Sequence, residues 1–84
     1  MKEIVIFGDE ITSREALYAD LRKKCDFPPY VRDNLDSVYD YLSEIGAVIT
    51  VQNAEKLTEQ LGDYGESFME LVRDLREESE ARNS

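Results

Sequence analysis

Residues 30–45 of the chain read YVRDNLDSVYDYLSEI, and the spacing of the apolar side chains within this stretch predicts an amphipathic helix. At about 100° per residue, one face of that helix carries four apolar side chains, Leu35, Val38, Leu42 and Ile45. We expect this face to pack on a hydrophobic core. Asp33 or Asn34 is suited to cap the start of the helix, and Gly46 is typical of a left-handed residue at its end.

The opposite face of this helix is acidic. Asp36, Asp40 and Glu44 follow one another at intervals of four residues, with Tyr39 and Ser43 between them. Like charges at this spacing destabilise a helix by a few tenths of a kcal/mol per pair, and the helix dipole disfavours an anion near the C-terminus. The pattern therefore predicts a surface with an exposed tyrosine that contacts a positively charged partner. The simpler interpretation is an acidic face that is only solvated.

Composition supports a basic protein as the partner. The chain has 84 residues, with 19 acidic and 10 basic side chains and a net charge of −9. Nucleic acid is disfavoured as a direct partner because phosphate binding needs clustered Lys and Arg, whereas a basic protein would be attracted. The length predicts a single domain over residues 1–84, in which the polar residues 79–84 form a frayed tail.

The chain offers little for catalysis, metal binding or a membrane. It contains no histidine, and Cys25 is its only cysteine, so an intramolecular disulfide is excluded and we expect neither metal nor cofactor. No apolar run approaches the ~18 residues of a membrane span. We therefore expect a cytoplasmic protein with no membrane partner.

Two short apolar runs predict strands. Ile4 to Phe7 is continuously apolar and ends at Gly8, which is typical of a parallel strand buried on both faces. The second run, from Ala47 to Val51, is rich in β-branched residues.

Three further helices are predicted around these strands. Thr12 and Glu15 have the spacing of a capping box for a helix that continues to about Cys25. A short helix should follow Asn53 and end at Leu61, and a fourth should run from Ser67 to about Glu80. The order of elements predicts an α/β fold with a small parallel sheet, two strands of which are visible, and about four helices.

Two motifs resemble the barstar family of intracellular ribonuclease inhibitors. They are Phe27-Pro28-Pro29-Tyr30 and Asn34-Leu35-Asp36-Ser37-Val38-Tyr39-Asp40-Tyr41-Leu42. The resemblance implies a parallel sheet with a third strand after the last helix, but no apolar run follows Glu80. We therefore expect an exposed sheet edge at Ile4 to Phe7 and weak self-association through it.

The resemblance also implies roles for individual residues against a basic, barnase-like ribonuclease. Asp40 would occupy the phosphate-binding site, Asp36 would pair with a basic group at its rim, and Tyr30 would stack on the catalytic side chains. Asp74 and Glu78 would reach a peripheral arginine. The full set of predicted partner-binding residues is Tyr30, Asn34, Asp36, Tyr39, Asp40, Ser43, Glu44 and Asp74.

Arg32 departs from the family pattern, which commonly has a small residue beside the loop tyrosine. It adds positive charge to a surface meant for a positive partner. We expect its side chain to pair with Asp33 or Asp36 instead.

Two other classes of protein compete with this interpretation. Leu35-Asp36-Ser37-Val38 also resembles the Asp-Ser-Leu site of acyl carrier proteins, in which Ser37 would carry a phosphopantetheine arm. Those proteins are all-helical, so the two predicted strands argue against this alternative. An enzyme using Asp36 and Asp40 as paired carboxylates is also disfavoured, since a convex helix face offers no pocket.

Overall fold

The computed structural model describes residues 2–83, with side chains described through residue 81. A single turn of 3-10 helix follows the first strand at Gly8–Glu10. In chain order the other elements are β1 (Glu3–Phe7), α1 (Arg14–Lys24), α2 (Leu35–Ile45), β2 (Val48–Gln52), α3 (Ala54–Leu61) and α4 (Asp63–Asn83). The α/β prediction is confirmed, with four α-helices and a two-stranded sheet within the described residues.

The two strands are parallel, as predicted, with Ile4 opposite Ile49 and Ile6 opposite Val51. Ile4 and Ile6 are buried, but Val5 is half-buried and Phe7 is 43% exposed. The prediction that β1 is buried on both faces is therefore wrong. Alternate side chains of a strand point to opposite faces, and in β1 only the face that carries Ile4 and Ile6 is fully buried.

Helix α1 starts one residue later than the capping-box motif predicts. Its N-cap is Ser13, whose Oγ accepts a hydrogen bond from the Ala16 amide at 3.1 Å. Thr12 is therefore not the cap, and Glu15 falls one position short of the place that a capping box requires. Leu17 and Leu21 form the buried side of α1.

Helix α4 is longer than predicted at both ends. It begins at Asp63, four residues before Ser67, and continues to Asn83, although residues 79–84 were expected to fray. Its start follows directly on Gly62, a residue with φ of 61° that ends α3 and whose carbonyl accepts a hydrogen bond from the Glu66 amide. Within α4, a Cβ at Gly65 would lie 2.9 Å from the Thr58 Cα, so glycine at this position permits the close contact between α3 and α4. Ser84 lies outside the described residues.

Helix α2 packs on α4 through its apolar face. Val38 and Leu42 have no exposed surface, and Leu35 is half-buried. The inner face of α4 is also buried, at Phe68, Leu71, Val72 and Leu75. Ile45 was expected to face inward, but it is the last residue of α2 and is 40% exposed.

Each edge of the sheet carries a cationic side chain on a backbone carbonyl. The Val48 amide donates to the Lys2 carbonyl at 2.9 Å, so the backbone carbonyl of Lys2 points towards β2. Backbone groups of successive residues in a strand point to alternate sides, so the N–H and C=O of Val5 point away from β2, to the free edge of β1. There the Lys24 ammonium donates to the Val5 carbonyl at 2.6 Å. On the far edge of β2, Arg76 Nη2 donates to the Ile49 carbonyl at 3.4 Å. Charged side chains at sheet edges oppose pairing with another chain.

We expect Lys24 to limit self-association through β1. In the Lys24→Ala variant the Val5 carbonyl loses its partner, so sedimentation velocity at high protein concentration should show a larger dimer fraction than in the wild type. Lys23→Ala is the matched control, because it removes the same charge from the neighbouring, exposed position. Equal dimer fractions in the two variants would contradict this role of Lys24.

Candidate partner-binding site

The outward side of α2, here called the acidic face, consists of Asp36, Tyr39, Asp40, Ser43 and Glu44. Its three acidic side chains are exposed, and none of them forms an ion pair with a described residue. Because they lie one helical turn apart, their carboxylates form a row with a rise of about 6 Å between neighbours. The row is available to positively charged groups of a partner.

Tyr39 and Ser43 are held by Glu78 of α4. The Tyr39 hydroxyl donates to Glu78 Oε2 at 2.5 Å, and the Ser43 hydroxyl donates to Glu78 Oε1. Tyr39 is half-buried, so the prediction of an exposed tyrosine in the middle of the acidic face is wrong. The hydrogen bond to Glu78 raises the pKa of the Tyr39 phenol.

Glu78 is therefore a central residue of this site, although the sequence indicated it only weakly. It lies 39 residues from Tyr39 and 35 from Ser43. No local pattern connects positions that far apart. Only the approach of α2 to α4 brings them together.

Asn34 and Ser37 fix the start of α2. Asn34 Oδ1 accepts a hydrogen bond from the Ser37 amide at 2.7 Å, which makes Asn34 the N-cap. Ser37 Oγ accepts one from the Arg32 amide at 2.9 Å. The Ser37 hydroxyl thus joins the helix to the preceding loop. The two strands of the fold also distinguish this chain from acyl carrier proteins, which are all-helical.

The recognition loop, defined as residues 27–34, presents Tyr30. The side chain of Tyr30 is 66% exposed, and its ring meets Tyr41 of α2 edge-on, with 6.3 Å between centroids. Phe27 packs on the same Tyr41 ring at 5.6 Å. Val31 anchors the loop in the core, with only 3% of its surface exposed. The aromatic contacts and this anchor support an exposed tyrosine beside the acidic face.

Arg22 of α1 also holds this loop, a role that sequence reasoning missed. Its Nε and Nη2 donate to Asp33 Oδ1 at 3.0 and 2.5 Å, and Nη2 also donates to the Val31 carbonyl at 3.0 Å. Its guanidinium lies 5.6 Å from the centroid of the Phe27 ring. Asp33 therefore pairs with Arg22, and the expected pairing of Arg32 with Asp33 or Asp36 is not observed.

A groove between α2 and α4 lies next to the acidic face. Asp36 lines it from α2, and Asp74 and Glu70 line it from α4. Leu35 and Leu71 contribute apolar surface. The structure thus brings Asp74 to the same groove as Asp36, as a common binding surface requires, and it adds Glu70, which the motifs did not indicate.

The part of the chain that the structure describes forms neither a metal-binding cluster nor a membrane-spanning helix. These residues contain no group of three or more Cys, Asp or Glu side chains placed to hold a metal ion. None of the helices described is both long and apolar enough to span a bilayer.

The family model described as Barstar (barnase inhibitor) matches residues 1–84. The chain belongs to the barstar family. A relative in Bacillus subtilis (strain 168), named "Putative ribonuclease inhibitor YrdF", is 32% identical over 81 residues, which cover 93% of this chain and 89% of that protein. Barstar-family proteins are inhibitors rather than enzymes, and both comparisons support ribonuclease inhibition.

For this barstar-family chain, we expect Glu78→Gln to lower the pKa of Tyr39 towards the ordinary tyrosine value of about 10. The carboxylate accepts a hydrogen bond from the protonated phenol and repels the phenolate, and the amide keeps an acceptor but loses the charge. NMR titration of the Tyr39 ring carbon bonded to oxygen measures this pKa directly.

The same shift makes stability depend on alkaline pH. A folded-state pKa above the unfolded value gives a stabilisation that is complete below pH ~10 and is lost as the pH rises through the folded-state pKa. This loss should be smaller in Glu78→Gln. Glu77→Gln, which neutralises an exposed neighbour, is the control, and a Tyr39 pKa that is the same in both variants would contradict the role of Glu78.

Proposed function

We propose that this chain inhibits a basic, barnase-like ribonuclease by covering its active site with the recognition loop and the acidic face. The observation that carries the proposal is the difference between the charged and the uncharged polar side chains in and next to α2. Its carboxylates at Asp36, Asp40 and Glu44 have no ion-pair partner among the described residues, whereas the uncharged polar side chains of the same region are held internally.

Charge supports a ribonuclease as the target. An enzyme that binds RNA holds phosphates with Arg, Lys or His, and these groups form short, charge-assisted hydrogen bonds with carboxylates as well. A row of carboxylates on a rigid helix can therefore occupy the groups that bind phosphates. The proposal gives Asp40 the central phosphate-binding site because it lies between Asp36 and Glu44, one turn from each.

The remaining predicted residues divide into two groups. Tyr30, Asp36, Glu44 and Asp74 are exposed, and we propose that they contact the ribonuclease directly. Asn34, Tyr39 and Ser43 make internal hydrogen bonds. We propose that these three shape the surface and add contacts of their own at its border.

We expect the chain to bind no nucleic acid, membrane, metal or cofactor and to have no enzymatic activity. The net charge of −9 opposes binding to RNA itself. Cys25 is a buried free thiol, which fits the reducing cytoplasm where we propose that the inhibitor acts.

The direct test is a titration of barnase with the purified chain while RNA cleavage is followed. Barnase is the ribonuclease that the family description names. We expect stoichiometric loss of cleavage. If cleavage persists although circular dichroism shows a folded chain, a barnase-like target is ruled out.

Asp40→Ala should weaken binding to barnase more than any other single alanine substitution on the acidic face or in the groove. Removing one partner of a desolvated charge pair leaves the other buried and unpaired, at a cost of roughly 2–5 kcal/mol. Dissociation constants measured by calorimetry for Asp40→Ala, Glu44→Ala and Asp74→Ala provide the ranking. The assignment of Asp40 to the centre fails if either of the other two variants binds more weakly.

Association should be fast and sensitive to salt. The chain has a net charge of −9 and the proposed target is basic, so long-range attraction accelerates their encounter. The Debye length falls from about 30 Å at 0.01 M salt to about 8 Å at 0.15 M, and stopped-flow on-rates should fall steeply over that range. A flat response would show that the acidic face does not meet the partner.

A further inference from the structure

Arg32 lies at the border of the proposed inhibitory surface, and its backbone is fixed. Its amide donates to Ser37 Oγ at 2.9 Å, and its carbonyl accepts a hydrogen bond from the Asn34 amide at 2.9 Å. These bonds hold Arg32 between the exposed Tyr30 and the N-cap of α2. The residue is exposed, and its guanidinium makes no hydrogen bond, ion pair or ring contact with any described residue.

The free guanidinium is notable because a carboxylate is directly adjacent in sequence. Asp33 instead accepts two hydrogen bonds from Arg22 of α1. Asp36, the next acidic residue, forms no ion pair either. The fold therefore uses a different arginine to neutralise the acid beside Arg32.

Arg32 also gains nothing from the helix that follows it. It lies two residues before Asn34, the N-cap of α2, where the helix dipole favours anions and disfavours cations. Arg32 is thus exposed, lacks a partner among the described residues and lies where the helix dipole disfavours a cation. Its charge therefore does not stabilise the fold.

A free cation on this surface has a consequence for binding. The proposed partner is basic, and like charges brought together across an interface oppose binding. The cost disappears if the partner has a carboxylate opposite Arg32. A guanidinium then offers two parallel hydrogen bonds to that carboxylate, a geometry that lysine lacks.

We propose that Arg32 is a specificity-determining residue that pairs with a carboxylate of the target ribonuclease, beside the place where Tyr30 binds. This inference rests on the proposed function and narrows it. The target is a basic ribonuclease with an acidic side chain at the border of its phosphate-binding site. General bases in enzymes include Glu and Asp, so a catalytic carboxylate is chemically suited to this position. Ribonucleases that have a cation or an apolar side chain there would be bound less well.

The test uses the sign of the change in affinity that Arg32→Ala causes, because pairing and repulsion predict opposite signs. Barnase is titrated with the wild-type chain, with Arg32→Ala, and with the control Lys56→Ala, which removes one exposed positive charge from α3. If Arg32 pairs with a carboxylate, Arg32→Ala should bind about tenfold or more weakly than the control, with most of the change in the off-rate. If Arg32 only repels the basic partner, Arg32→Ala should bind more tightly than the control, and that result overturns the inference.

Two further measurements separate pairing from an effect on the loop. Arg32→Lys keeps the charge but not the two-pronged geometry, so it should bind between Arg32→Ala and the wild type. Acidic residues at the border of the barnase active site are then changed one at a time to the matching amide. One of these changes should be non-additive with Arg32→Ala, and purely additive effects at all of them would overturn the inference.

The outcomes also separate this inference from the proposed function. Inhibition by the wild type together with equal or tighter binding of Arg32→Ala relative to the control overturns the role of Arg32 alone. Absence of inhibition by the folded wild type overturns the proposed function and this inference together.

Discussion

The packing of α2 on α4 is the constraint on which the rest of this molecule depends. Val38 and Leu42 are fully buried on one side of that contact, and Leu71 and Leu75 are buried on the other. Burial of one such side chain stabilises a fold by about 1.5–3 kcal/mol, whereas each like-charge pair on the outward face costs only a few tenths. Packing therefore fixes the rotation of α2, and the acidic residues face outward even though they repel one another.

The distribution of positive charge in the structure leaves that face unneutralised. Arg22 holds the recognition loop through Asp33, Lys24 caps the Val5 carbonyl, and Arg76 donates to the Ile49 carbonyl. Three cations thus serve the loop and the sheet edges instead of pairing with the acidic face. Arg32 differs from all of them because it is exposed at the border of the proposed binding surface and has no internal partner among the described residues.

Sequence reasoning succeeded where the cause is local. The period of the apolar residues in α2, together with Asp33 or Asn34 at its start and Gly46 at its end, predicted its bounds to within one residue and most of its buried face. It failed where local signals compete or distant elements meet. Ser13 and Thr12 carry equivalent hydroxyls, so the backbone decides which one caps α1. The predicted start of α4 at Ser67 is four residues late, and the close approach of Gly65 to Thr58 of α3 is a contact that the sequence does not show.

In the candidate site, too, the features that depend on a single helix were predictable from the sequence, and those that depend on contacts between distant elements were not. The helical period predicted which carboxylates of α2 would be exposed, since only the rotation of one helix is needed. The internal support of the site required tertiary structure. Glu78 reaches Tyr39 and Ser43 only because α4 crosses α2, and Arg22 reaches the loop by the extension of a long side chain.

That internal support lowers the entropic cost of binding at the proposed interface. Ordering a flexible side chain on binding costs about 0.5–1.5 kcal/mol, but Asn34, Tyr39 and Ser43 are already held in the free chain. Two of the three free carboxylates belong to aspartate, whose short side chain has little freedom to lose. Much of the ordering needed for binding is thus completed when the chain folds, and the Coulomb attraction of the acidic face can contribute to affinity with little entropic loss.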